Sequence, residues 1–107
     1  MAQKLDGSTR DQALGPLIAL GWAMVEGRDA IVITLKFKDF SQAWAAMSRI
    51  ALRAETMDHH PEWANVYNRL TITLTTHSCD GLSALDTALA QAISDIAQQQ
   101  GGKVIEG

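Results

Sequence analysis

The stretch Ala30-Ile31-Val32-Ile33-Thr34-Leu35-Lys36-Phe37 alternates by side-chain type, with Ile31, Ile33, Leu35 and Phe37 on one face and Val32, Thr34 and Lys36 on the other. A period of two marks a strand with one buried face, and it predicts an antiparallel setting with water on the far side. A second run of this kind lies at Leu70 to Thr75, where Leu70, Ile72 and Leu74 share a face and Thr71, Thr73 and Thr75 the other. Each run has a short partner. Trp22 to Val25 precedes the first across a Glu26-Gly27-Arg28-Asp29 turn, and Val66-Tyr67 precedes the second across a turn at Asn68-Arg69. Two hairpins make one four-stranded antiparallel sheet.

Helical segments lie outside and between the hairpins. The first is expected to start at a Ser8 or Thr9 cap, with Asp11 in its first turn and an apolar stripe of Leu14, Leu17 and Ile18. Gly15-Pro16 predicts a kink or break in it. Asp39, with Gln42 three residues on, opens the second helix as a variant capping box. Phe40, Trp44, Met47, Ala51 and Ala54 repeat there at helical spacing, and Ala43, Ala46 and Ile50 make the opposite side apolar as well. A helix apolar on two sides points to a second buried face, against another subunit. Pro61 biases His60 away from the helical region and ends the segment near Met57 to His59. Ser83 and Asp86 form the capping box of the last helix, whose stripe is Leu85, Ala88, Leu89, Ala92, Ile93 and Ile96. Residues 1–7 and 101–107 read as tails. The expected fold is α+β, in the order α-β-β-α-β-β-α, with three helices on one face of the sheet.

A chain of 107 residues is one domain's worth, and residues 1–107 read as a single domain with its core at about 8–100. With 47% apolar and 20% charged residues the composition is globular, and no apolar run approaches the roughly 20 residues of a membrane span. A net charge of −3 without a basic stripe argues against direct nucleic-acid binding. The polar start, Met1 to Arg10, carries no signal-peptide pattern. The single cysteine, Cys79, rules out an internal disulfide and suits a reducing compartment, so a cytoplasmic location is expected, or a nuclear one as well in a eukaryotic source.

All three histidines, His59, His60 and His77, fall between residues 59 and 77. His59 and His60 sit where helix gives way to extended chain. Glu55 precedes His59 by four residues and is expected to meet it across the last turn, where the negative end of the helix also suits a cation. Imidazole titrates near neutrality, as proton-transfer catalysis requires. Trp22 and Trp63 offer flat walls for an aromatic ligand. A lone histidine at a helix end is ordinarily a cap or a solvated residue, and Trp44 and Met47 read as core or subunit interface. Cys79 lies in no catalytic signature. His59, His60, His77 and Cys79 are chemically adequate zinc ligands, but adjacent side chains on extended backbone point apart, which makes a metal site the weaker reading. No glycine-rich nucleotide loop is present, so no nucleotide cofactor is expected.

The run from Ala54 to Arg69, containing Glu55, Asp58-His59-His60-Pro61-Glu62-Trp63 and Tyr67, followed by Thr75-Thr76-His77 and Gly81-Leu82-Ser83, strongly resembles the pterin-4a-carbinolamine dehydratase family. The family pattern is an acidic residue, three residues, His-His-Pro, an aromatic, a later His and then an Asp, here Glu55, His59-His60-Pro61, Tyr67, His77 and Asp86. The likeness continues upstream through Gly21-Trp22, Glu26 to Ala30 and Phe37 to Phe40, and covers about residues 9–97.

That resemblance implies a hydro-lyase without metal or cofactor. Its substrate would be 4a-hydroxytetrahydrobiopterin, which loses water to give quinonoid dihydropterin in the recycling of tetrahydrobiopterin. It implies that His59, His60 and His77 are catalytic, His59 and His77 exchanging protons while His60 holds the substrate. Glu55 would orient His59, and Asp58, Thr75, Thr76, Ser78 and, less firmly, Trp22 would complete the substrate site. It also implies a homotetramer built as a dimer of dimers. A protein-binding role as coactivator, through the dimerisation helix of a homeodomain transcription factor, is the alternative function.

Overall fold

The computed structural model describes residues 2–106. The chain runs α1 (Gly7–Ala19), β1 (Ala23–Met24), β2 (Ile31–Lys36), α2 (Phe40–Met57), β3 (Glu62–Val66), β4 (Arg69–Leu74), a 3-10 turn (His77–Cys79), α3 (Ala84–Gln99) and β5 (Lys103–Ile105). All strand pairs are antiparallel, in the order β1-β2-β4-β3, with β5 on β2 as well. The two alternating runs lie side by side at the centre, Ile33 opposite Ile72 and Leu35 opposite Leu70. Their apolar faces join Leu14 and Leu17 of α1, Ala43, Ala46 and Ile50 of α2, and Leu89 and Ile93 of α3 in one core cluster. The three helices thus share one side of the sheet, while Val32, Thr71 and Thr73 on the other side are half-buried. No helix among the described residues is long and apolar enough to cross a membrane.

The sheet has five strands rather than four. Gly101 takes a left-handed turn (φ +75°) after α3, and the Gly102 N–H donates to the Ala97 carbonyl at 2.7 Å. This reverses the chain and lays Val104 opposite Leu35. Gly21 is what admits it, because a Cβ there would lie 2.6 Å from Val104 Cγ1. Neither end segment is therefore only a tail. At the other end the Leu5 N–H donates to the Leu82 carbonyl at 2.8 Å. Met1 and Gly107 lie outside the described residues.

Local expectations shift in instructive ways. Helix α1 starts at Gly7, with Asp6 as its cap residue and no side-chain cap, so neither Ser8 nor Thr9 caps it. Pro16 sits inside a continuous helix. Gly15 and Pro16 are both exposed, and the carbonyl left without a donor there can turn to water. The β3–β4 loop is Tyr67-Asn68, one residue earlier than expected, with Tyr67 left-handed (φ +50°). The Asn65 amide draws it closed by donating to the carbonyls of Tyr67 and Arg69 at 3.0 and 2.8 Å.

Asp39 does cap α2, accepting from the Gln42 N–H at 2.9 Å. The core-facing side of that helix is Ala43, Ala46, Met47, Ile50 and Ala54. Phe40 (47% exposed), Trp44 (57%) and Leu52 (72%) form the outward apolar face, with the Phe40 and Trp44 rings stacked. The small alanines let the helix approach its neighbours closely, and that decides which of two apolar sides goes inward.

Candidate active site

The site forms where the end of α2, the end of β4 and the start of α3 meet. Asp58 closes α2 in the left-handed conformation (φ +49°), and the His59 N–H then donates to the Ala54 carbonyl at 3.1 Å. That reversal takes His59 out of helical register with Glu55 and turns its ring inward. His59 is 8% exposed, and its Nε2 lies 2.6 Å from Asp86 Oδ1. The expected Glu55–His59 pair is therefore replaced. Glu55 Oε1 lies 2.8 Å from Nε2 of His60 instead, and both side chains are exposed.

Asp86 is fully buried. Besides His59 it accepts from the Ser83 N–H at 2.9 Å and from the Thr76 hydroxyl at 2.6 Å, both on Oδ2. The Leu85 N–H donates to Ser83 Oγ at 3.2 Å, and Ser83 Oγ lies 2.7 Å from Thr76 Oγ1. The only consistent order is Leu85 N–H to Ser83, Ser83 hydroxyl to Thr76, and Thr76 hydroxyl to Asp86. Nε2 of His59 donates to the same carboxylate, and Nδ1 is the ring nitrogen left outside the chain. Among the described residues no buried side-chain polar atom lacks a partner. One carboxylate thus ties the His59 turn to the Thr76–His77 step.

His77 opens the 3-10 turn and is exposed. Backbone hydrogen bonds between Thr76 and Gly81, 2.9 and 3.2 Å, close the loop that carries it. Beside it, Arg28 from the β1–β2 turn donates to both Glu62 oxygens, Nη1 at 3.0 Å and Nη2 at 2.8 Å. The Arg28 hydrogen bonds hold the Glu62 carboxyl below its ordinary range, slight burial opposes them, and the charges of Arg28 and then His77 add to the lowering. Asp29 anchors the same turn. The Arg10 hydrogen bond, at 2.5 Å, holds its carboxyl below the ordinary 3.8 against partial burial, and the Leu82 N–H and the charges of Arg10 and Lys4 add to it.

Of the remaining expected site residues, Thr75 donates to the Asp29 carbonyl at 2.9 Å, and Asp58 and Ser78 are exposed at their turns. Trp22 is not a wall of the site. It is 2% exposed inside the core, just before β1, and its Nε1–H donates to Ser94 Oγ of α3 at 2.9 Å. Asp86, Ser83, Arg28 and Glu62 were absent from the expected site. The capping-box spacing flagged Ser83 and Asp86 as a helix start, and the family pattern included Asp86 without giving it a role. Among the described residues no three His, Cys, Asp or Glu side chains gather in a metal-binding arrangement.

An antiparallel sheet backed by three helices, with two histidines at the end of α2 and a third after β4, is the architecture of a pterin dehydratase. The sequence profile described as Pterin 4 alpha carbinolamine dehydratase matches residues 3–96, so the chain belongs to the pterin-4a-carbinolamine dehydratase family, a family of hydro-lyases. A relative in Dinoroseobacter shibae, named for pterin-4-alpha-carbinolamine dehydratase, is 58% identical over 97 residues, 91% of this chain and all of its own length. One in Ruegeria pomeroyi with the same name is 51% identical over 96 residues, 90% of this chain and 99% of its own. A crystal structure from Brucella melitensis, described as a transcriptional coactivator/pterin dehydratase, superposes with a TM-score of 0.83 at 47% identity, covering 89% of this chain and 99% of that one.

Proposed function

We propose that this chain removes water from a 4a-hydroxytetrahydropterin to give the quinonoid dihydropterin, by acid and base catalysis from its histidines, within the recycling of tetrahydrobiopterin. The observation that carries the reading is the Asp86 carboxylate, which holds His59 and the Thr76–His77 step together. In the reaction an acid protonates the 4a-oxygen as the C4a–O bond breaks. A base takes the N5 proton, and the freed electron pair forms the C4a–N5 double bond. The protein needs one donor and one acceptor on exposed imidazoles, each worth about 10²–10⁴-fold.

The geometry favours His60 and His77 for that exchange, in place of His59 and His77. Both are exposed, whereas the His59 ring is buried with Nε2 committed to Asp86. His59 then shapes the site and offers only Nδ1. Glu55 steadies His60, and Asp58, Thr75, Thr76 and Ser78 surround the pterin. The test is stopped-flow generation of the carbinolamine followed by its dehydration. His60→Ala and His77→Ala are each expected to lose about 10²–10⁴-fold of the catalysed rate. Full turnover by both variants rejects the reading.

The outward apolar face of α2 supports assembly into a tetramer, and light scattering that shows a monomer at micromolar concentration would reject that. The coactivator description of the Brucella melitensis structure favours a second reading, in which the same face takes a transcription-factor helix. Retention by an immobilised helix of that kind tests it. The half-buried free thiol of Cys79 suits a reducing, cytoplasmic setting.

A further inference from the structure

His77 is exposed, and its ring makes no hydrogen bond to another side chain among the described residues. Its place is therefore set by the backbone that carries it. The Thr76–Gly81 pair closes that loop on itself, which fixes its shape but not its seat on the sheet. The Asp86 chain holds one side of the loop. A second hold, which the proton-transfer chemistry does not use, comes from the β1–β2 turn.

Asp29 grips the segment immediately outside the Thr76–Gly81 closure, on both sides. Its carbonyl accepts the Thr75 hydroxyl at 2.9 Å, and its Oδ2 accepts the Leu82 N–H at 3.1 Å. Leu82 is held at its other backbone group as well, since its carbonyl accepts the Leu5 N–H at 2.8 Å. Arg10 joins the two holds. Its Nη1 donates to the Leu5 carbonyl at 3.3 Å and its Nη2 to Asp29 Oδ1. The hydrogen bonds thus run in a closed ring through Asp29, Leu82, Leu5 and Arg10, and Arg10 ties that ring to α1. Gly81 lets the β1–β2 turn come this close, because a Cβ there would run into Asp29 Oδ2 and Lys4 Cε. The Asp29 side chain is 21% exposed, so water competes little for its oxygens, and the charge on both partners strengthens the Arg10 bond.

We infer that Asp29 is a positioning residue for the reaction: with Arg10 it clamps both ends of the 75–82 segment and so sets where the His77 imidazole meets the substrate. This rests on the reading of His77 as a proton-transfer group and adds to it the part of the fold that aims the ring. A displacement of about 1 Å at a reacting group can cost about 10²-fold in rate.

The test measures kcat and KM for dehydration by stopped flow, at a temperature where circular dichroism shows each variant folded. Asp29→Ala is expected to lose about 10–10²-fold in kcat with KM close to native. Asp29→Asn keeps an oxygen for the Leu82 N–H and is expected to recover part of that loss. Gly81→Ala leaves every hydrogen-bonding side chain in place but drives a methyl at the carboxylate, and it is expected to lose about tenfold in kcat. In the Asp29→Ala background the same change is expected to add nothing. A chain ended after Gln100 removes β5, leaves the ring intact and serves as the stability control, with kcat unchanged. Full kcat in Asp29→Ala, or in Gly81→Ala should Asp29→Ala fail to fold, overturns the inference and leaves the dehydratase reading standing. Additive losses in the double variant overturn it too, as does a control that loses as much kcat as Asp29→Ala. A native protein that dehydrates no carbinolamine rejects the dehydratase reading itself, and the inference with it.

Discussion

The two halves of the site are built on opposite plans. Around Asp86 the hydrogen bonds form one largely buried chain, from the α3 backbone through Ser83 and Thr76 to the carboxylate and Nε2 of the His59 ring. Around His60 and His77 the partners, Glu55, Glu62 and Arg28, stand in water. Buried hydrogen bonds have no competing solvent, so the first half fixes positions. Exposed groups exchange protons and ligands readily and add little to stability, so the second half is free to do chemistry.

The sharpest way to break that contrast is Asp86→Ala. It leaves Thr76, the Ser83 amide and the buried imidazole without a partner at once. A loss of about 2–5 kcal/mol in urea unfolding is expected, with dehydration falling in the same variant. Its counterpart on the open side, Glu55→Gln, is expected to leave the unfolding midpoint in place while lowering kcat/KM by about tenfold or less. If both variants changed stability equally, the division into a holding half and a reacting half would be lost.

The pH dependence sharpens the comparison at the β1–β2 turn. Asp29 titrates below 3.8 in the folded protein, mainly because Arg10 bonds it. Its contribution to stability is therefore complete above the unfolded value and is lost as pH falls through the lower folded value. In thermal melts from neutral to acid pH, Asp29→Asn is expected to lower the midpoint at pH 7 and to flatten the decline below about pH 4. A parallel decline in both proteins would exclude Asp29 as a source of acid sensitivity. The smallest effect belongs to β5. A chain ended after Gln100 is expected to melt about 4–8 °C lower with unchanged turnover, since the strand adds three residue pairs far from the histidines.

Much of this was readable in the residues. Ile31, Ile33, Leu35, Leu70, Ile72 and Leu74 alternate without interruption and sit where alternation puts them, all buried. The histidine cluster was equally plain. What could not be read depended on three-dimensional choices. The apolar residues of α2 leave two faces to choose from, and contact with α3 and the sheet selects the alanine-rich one. Lys103-Val104-Ile105 is too short to show a period, and only the turn at Gly101 makes it a strand. Glu55 and His59 have helical spacing, but a left-handed Asp58 removes His59 from the helix. Asp86 stood out as a cap and as the last residue of the family pattern, but nothing in its spacing says that a histidine 27 residues earlier shares the carboxylate.

That sharing has a consequence for how the molecule responds to its own fluctuations. The first turn of α3 and the seat of His59 are closed by one side chain, so fraying of the helix end and disassembly of the site are a single event. The share of molecules competent at any instant is then set by the local opening equilibrium of a helix terminus, separately from the intrinsic rate of proton transfer. A change at Ser83, which lies behind the histidines, would act on that share: fewer active molecules, each as fast as before.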